Sequence, residues 1–284
     1  MEYQGFELEC HEKSIFGQLW KPSEPEACMI LIHGLGEHSG RYSSSIVPEL
    51  THRNIAVIGF DLFGHGHSEG KRGCCPGYDE VLDLVDEVIL KGKEWFSDIP
   101  MFIFGHSLGG NIALSYVMKR KHDLKGILCS GPFLRTSIKV PAWKMIFGKL
   151  LWKIAPEITL SNGIEPEALT SLSSEVRKLK EDPLCHTRIC PNYAFPFMLS
   201  GEWILQHADL IKIPAYIGHG TDDHVTSHWA SKALSKQNER ITLKLYEGGR
   251  HEILNDSCRS MVNEDILVWM NSQLSLHLQG DQAI

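Results

Sequence analysis

Short, unbroken apolar runs recur along this chain, and each stops abruptly at small or polar residues. Cys28–Ile32 gives way to His33-Gly34, Ile55–Phe60 to Asp61, and Met101–Phe104 to Gly105. Gly126–Cys129, Ala215–Gly218 and Ile241–Tyr246 follow the same rule. Runs of this length without polar alternation suit strands buried on both faces, as in a parallel sheet. Helical patterns lie between them. Tyr78–Phe96 sets Val81, Val85, Val88, Ile89 and Phe96 near one face, Asn111–Met118 follows the third run, and Val262, Ile266, Trp269 and Met270 stripe the last helix. Strand and helix in alternation predict a mostly parallel sheet covered on both sides. Phe6–Cys10 and Ser14–Trp20 add two strands at the start, read as a hairpin.

The alternation fails from Pro132 to about Pro214, where Pro, Trp and Met are frequent and no convincing strand is visible. A structureless loop of that length does not fit a compact domain. The expected organisation is therefore a core of residues 1–131 and 212–284, with residues 132–211 inserted as a helical cap.

The bulk numbers narrow the function. With 43% hydrophobic and 22% charged residues, the chain can bury a large core. Its formal net charge of −7, without any long basic block, argues against general nucleic-acid binding. The eight cysteines show no zinc-finger spacing, and adjacent Cys74 and Cys75 are poorly placed to bridge each other. Reduced thiols are the expectation. Met1-Glu2-Tyr3-Gln4 lacks a secretory start, and no run of about 20 apolar residues is present. A cytoplasmic protein is expected on these grounds.

The most chemically loaded stretch is Gly105-His106-Ser107-Leu108-Gly109-Gly110. It fits G-x-S-x-G, directly after a strand and directly before a helix. A serine on so sharp a turn needs small neighbours, and the helix N-terminus behind it favours developing negative charge. A serine hydroxyl also needs a base, and the base an orienting carboxylate, in the chain order Ser, Asp, His. The run at Ala215 leads into Gly220-Thr221-Asp222-Asp223, and the run at Ile241 into Glu247-Gly248-Gly249-Arg250-His251. With fifteen histidines in the chain, no single one is diagnostic. His251 stands out by its order and its place beyond the last strand. Two backbone amides should hold an oxyanion, one from Leu108 and one from the glycine-rich loop at Leu35.

Four segments together are more specific: His33–Tyr42 (HGLGEHSGRY), Asp61–Gly70 (DLFGHGHSEG), Gly105–Gly110 (GHSLGG) and Leu245–His251 (LYEGGRH). They resemble the monoacylglycerol lipase and lysophospholipase-like branch of the α/β-hydrolases. The resemblance implies an α/β-hydrolase fold with an eight-stranded sheet and a helical lid. It implies hydrolysis of lipid esters, such as a monoacylglycerol, at a Ser107–Asp223–His251 triad, with no cofactor and no metal. The carboxylate is expected three residues beyond Gly220, which selects Asp223, with Asp222 as the competitor. Alternatives are lysophospholipase, general carboxylesterase or peptidase activity, for which Glu165, Glu167 and Glu202 could bind an amino terminus. A non-catalytic binding protein on the same fold is a further alternative. The metal reading of His65-x-His67 is the weaker one, because no Asp-His pair follows it.

In the cap, Trp143, Phe147, Leu150, Leu151 and Ile154 recur at helical spacing between Pro141 and Pro156, with Lys144, Lys149 and Lys153 towards the other side. This stripe packs on the core, or lines an acyl tunnel or touches lipid, and the two readings can hold together. Phe195-Pro196-Phe197-Met198 could extend the same wall. The expected partner is a small lipid ester, with peripheral membrane or micelle contact through the cap and no nucleic acid.

Overall fold

The structure is a computed structural model and describes residues 1–138 and 140–281, without the side chains of 142, 144 and 277–281. The opening hairpin pairs β1 (Glu2–Cys10) with β2 (Lys13–Lys21). The apolar runs become β3 (Ala27–Ile32), β4 (Ile55–Phe60), β5 (Met101–His106) and β6 (Gly126–Ser130), with every residue of these four strands buried. Helices α1 (Ile46–Thr51), α2 (Tyr78–Trp95) and α3 (Leu108–Lys119) connect them.

Between β6 and the next core strand the chain leaves the sheet. It forms α4 (Ala142–Ile154), β7 (Leu160–Ser161), α5 (Pro166–Leu169), α6 (Ser173–Glu181), β8 (Arg188–Ile189) and α7 (Pro191–Gln206). The two-residue strands β7 and β8 pair with each other, which corrects the expectation of a strand-free segment. At two residues each, they carry no period for a sequence to display. The chain then returns through β9 (Ala215–Gly220), α8 (His228–Ser235), β10 (Ile241–Tyr246) and α9 (Arg259–Asp281).

The main sheet has eight strands in the order β1-β2-β4-β3-β5-β6-β9-β10, and β2 alone runs against the others. Two apolar layers cover it. Val81, Val85, Val88 and Ile112 lie on one face, with Ile30, Ile58 and Ile103. Val262, Ile266, Trp269 and Met270 lie on the other, with Met29, Leu31 and Phe104. Successive residues of β3 thus serve opposite layers, as the period of two requires. This explains why its sequence is apolar throughout.

The excursion is tied to α3 by polar contacts. The Asn111 side-chain amide donates to the carbonyls of Phe133 (2.7 Å) and Phe197 (3.0 Å), and the hydroxyls of Ser115 and Ser200 meet at 2.7 Å. Phe197 is fully buried in the core, not in a lipid-facing wall, whereas Phe195 stacks on Trp152 of α4. The α4 stripe faces outward: Trp143 is 65% exposed, Phe147 55%, Leu150 51% and Ile154 69%, with Leu151 half-buried. The stripe is therefore mostly solvent-facing, with Leu151 its more covered member. Lys149 and Lys153 are exposed too, and the Lys144 side chain lies outside the described ones. Among the described residues, no helix is long and apolar enough to cross a membrane.

Candidate active site

The C-terminal ends of β5, β9 and β10 deliver the residues singled out by sequence to one edge of the sheet, the usual ligand edge of an open α/β sheet. Ser107 sits between β5 and α3 with φ 53° and ψ −114°, a left-handed conformation rare outside glycine. Its neighbours make the turn feasible. A Cβ on Gly109 would stand 2.2 Å from the Ile32 carbonyl oxygen, so only glycine fits there. The turn is pinned by the Ser107 amide donating to Ser130 (2.9 Å) and by the Phe133 amide donating to the Ser107 carbonyl (2.9 Å). Ser107 is half-buried, within reach of solvent.

Asp223 and His251 are joined directly. His251 Nδ1 donates to Asp223 Oδ2 at 2.7 Å. The same oxygen accepts from His219 Nε2 at 3.0 Å and from the Thr226 hydroxyl at 2.8 Å, while Oδ1 accepts the amides of Val225 and Thr226. Burial pushes the Asp223 carboxyl upward, but His251 and His219 outweigh it and hold the group well below the usual carboxylate range. For His251, burial acts downward, yet Asp223 prevails and raises its pKa above the ordinary imidazole value. Asp222 is elsewhere: half of its side chain is exposed, and it pairs with His224 at 3.1 Å. Geometry thus separates the two candidate carboxylates.

Ser107 and His251 are brought into proximity but not into a hydrogen bond. The ring of His106, the residue before Ser107, packs on the His251 ring with centroids 4.8 Å apart. Among the described residues, the Ser107 hydroxyl has no hydrogen-bond partner. The glycine-rich loop comes as close: a Cβ on Gly34 would lie 3.2 Å from the Ser107 Cβ. Neither the Leu35 nor the Leu108 amide donates to another described residue, so both remain available to a ligand oxygen. Burial and His251 together lower His106 to about 4, which keeps this ring neutral beside the site.

Sequence reading missed the brace behind these residues. Glu37 Oε1 accepts the Gly34 amide (2.6 Å) and the Tyr42 hydroxyl (2.8 Å), and its other oxygen meets Arg41 at 2.7 Å. Arg41 then forks onto Glu252 with bonds of 2.8 and 2.7 Å. Burial would raise Glu37, but Arg41 dominates and holds it at about 2. The signal was available in part: Glu37 and Arg41 stand four apart in the first motif, and Glu252 directly follows His251. The excursion helps too, since Leu169 accepts the Glu252 amide at 2.8 Å and Thr170 accepts Arg250 Nη1 at 3.0 Å.

The His65-x-His67 pair does not converge. His65 is buried against the rings of His33, His186 and Tyr193, whereas exposed His67 lies on Phe16.

A crystal structure of Paleococcus ferrophilus monoacylglycerol lipase is 33% identical, covers 90% of this chain and 98% of that one, and superposes with a TM-score of 0.82. A monoacylglycerol lipase of Mycolicibacterium smegmatis is 27% identical over 90% of this chain and 92% of its own length. An uncharacterized abhydrolase domain-containing protein of Dictyostelium discoideum is 34% identical over 90% of this chain, which spans only 27% of that relative. The sheet order, the flanking helices and these structural matches define an α/β-hydrolase fold. Residues 23–258 match the family described as Serine aminopeptidase, S33, and the chain belongs to that family.

Proposed function

We propose that this chain is a serine hydrolase that cleaves carboxylic esters of lipids, with monoacylglycerol as the substrate that fits best. The observation that carries the reading is the 2.7 Å Asp223–His251 bond set beside a serine in a left-handed turn. The similarity to monoacylglycerol lipases supplies the substrate class.

In this reading Ser107 rotates about χ1 to place its hydroxyl on His251 Nε2. As Oγ attacks the ester carbonyl, His251 takes the proton, and Asp223 stabilises the resulting imidazolium. The amides of Leu35 and Leu108 hold the oxyanion, an interaction worth about 10²–10³ in turnover per donor in comparable sites. Collapse expels the glycerol oxygen with the proton from His251. Water, deprotonated by the same nitrogen, then releases the fatty acid from Ser107. None of these steps calls for a cofactor.

Residues 132–211 act as a cap over this edge of the sheet. The outward stripe of Trp143, Phe147, Leu150 and Ile154 meets lipid at a membrane or micelle surface, and Leu151 faces the acyl path. A solvent-facing apolar row of this extent is a poor match for an isolated monomer surface. For the peptidase alternative, Glu202 is paired with Arg135 and Glu167 with Lys180, which leaves exposed Glu165 as the candidate for an amino terminus.

The test is a substrate panel of monoacylglycerols, lysophospholipids, graded p-nitrophenyl esters and aminoacyl amides, run on the unmodified protein and on Ser107→Ala. Monoacylglycerol should give the highest kcat/KM, and Ser107→Ala should abolish turnover and fluorophosphonate labelling while the protein stays folded. Retained esterase activity in Ser107→Ala would end the assignment.

A further inference from the structure

Outside the proposed catalytic machinery, three side chains of different chemistry converge on one point of the seam between excursion and core. We propose that His38, Asp182 and Cys185 form a binding site for a zinc-class divalent metal ion.

Their donor atoms, an imidazole nitrogen, a carboxylate oxygen and a thiol sulfur, all lie within 4.8 Å of one another. His38 Nε2 and Asp182 Oδ2 are 2.9 Å apart. Bond lengths of about 2.0–2.3 Å to a tetrahedral zinc require donor separations of about 3.3–3.7 Å. That spacing lies within the 4.8 Å limit, and the His38–Asp182 edge is slightly short of it. Three protein donors leave the fourth tetrahedral position to water. Nitrogen and sulfur donors select zinc, cobalt or a similar ion over magnesium or calcium.

The local backbone presents the donors together. The Cys185 amide donates to the Asp182 carbonyl at 3.2 Å, a tight turn that sets both side chains on one side of the chain. Asp182 Oδ1 accepts the Leu184 amide at 2.9 Å, which leaves Oδ2 facing His38. Such outer bonds orient ligands in metal sites. Arg41 is the neighbouring cation, but Glu37 and Glu252 already engage it, so with Asp182 the fixed charge around the site is negative. Half-buried Asp182 and Cys185 leave a path from solvent.

The location gives the ion leverage. His38 lies in the loop that carries Leu35, and Asp182 and Cys185 lie just beyond α6, beside the 2.8 Å bond from the His186 amide to the Gly36 carbonyl. A bound ion clamps the two together. Binding exchanges the S–H bond of Cys185 for a metal–sulfur bond and releases that proton to buffer, with no change of oxidation state.

Cobalt(II) tests this without reference to activity. Titrated into the reduced, metal-free full chain, Co²⁺ should give a thiolate-to-cobalt charge-transfer band that saturates at one equivalent. Cys185→Ser should lose the band, and Cys258→Ser, which alters the other half-buried thiol, should keep it. His38→Gln and Asp182→Asn should each weaken Co²⁺ binding by at least tenfold, taking about 10–100-fold for outer partners as the floor. Far-UV circular dichroism checks that each variant is folded. No band in the unmodified chain, a band that survives Cys185→Ser, or unchanged affinity in both His38→Gln and Asp182→Asn overturns the proposal.

Discussion

Arg41 grips Glu252 through two parallel hydrogen bonds, 2.8 and 2.7 Å long, and thereby fastens the loop of Leu35 to the loop of His251. All three members of the Glu37–Arg41–Glu252 chain are nearly free of solvent contact. Charge-assisted fork geometry of this kind is among the strongest side-chain pairings. Removing the cation strands two carboxylates in a buried setting. Arg41→Met should therefore cost about 3–5 kcal/mol. Urea unfolding is the measurement, and a loss below 1 kcal/mol would show that the brace contributes little.

Glu37 adds an acid signature. Its pKa is about 2 in the folded chain against 4.5 as a free group, with Arg41 the cause that outweighs burial. A depressed carboxyl contributes stability that is fully present above 4.5 and fades as pH falls towards 2. The stability difference between the unmodified chain and Glu37→Gln should shrink across that window. A constant difference from pH 5 to pH 2 would contradict the assignment.

Asp223 raises His251, so the base form of the imidazole appears at higher pH than in a free histidine. The rising limb of kcat/KM against pH should have its midpoint above about 6.5. Asp223→Asn removes the negative charge and should move that midpoint downward while cutting turnover by about 10⁴. Asp222→Asn should leave both within twofold, because Asp222 faces His224. The reverse pattern would transfer the role to Asp222.

Gly109→Ala asks how much the tight turn matters. The added methyl would meet the Ile32 carbonyl oxygen at 2.2 Å, and backbone cannot yield as a flexible side chain can. Overpacking of this sort costs about 1–3 kcal/mol. Melting temperature should drop and fluorophosphonate labelling of Ser107 should slow. Unchanged labelling kinetics would mean that the turn tolerates bulk.

Ile146 is 73% exposed on α4, and Ile154 is similar. Ile146→Glu with Ile154→Glu should weaken sedimentation with phospholipid vesicles while p-nitrophenyl acetate hydrolysis persists. Equal vesicle binding by the double variant would leave α4 without a lipid role.

Much of this was legible beforehand, for identifiable reasons. Strands β3, β4, β5 and β6 are covered on both faces, so their residues had no freedom to be polar and the runs announced themselves. Ser107 and Asp223 stand out in the sequence because each follows such a run, and His251 because it lies beyond the last strand, β10, which is only half-covered. The direction of the α4 stripe was not legible, since an amphipathic period has the same form whether its apolar side faces protein or solvent. Nor was His219, whose shared hold on Asp223 depends on a bend after β9 that brings residues 219 and 223 face to face. Glu252 lies next to His251 in sequence, yet its partner Arg41 lies on a distant loop, and pairing across that separation has no local imprint.

Ser107 and His251 follow strands that enter the sheet at very different moments of synthesis. At roughly 5–20 residues per second, the imidazole leaves the ribosome on the order of ten seconds after the hydroxyl. β9 must also pair with β6, and β10 with β9, before the two can meet. On the proposed mechanism, a nascent chain carries an inert alcohol for about half of its synthesis, until the far edge of the sheet is laid down.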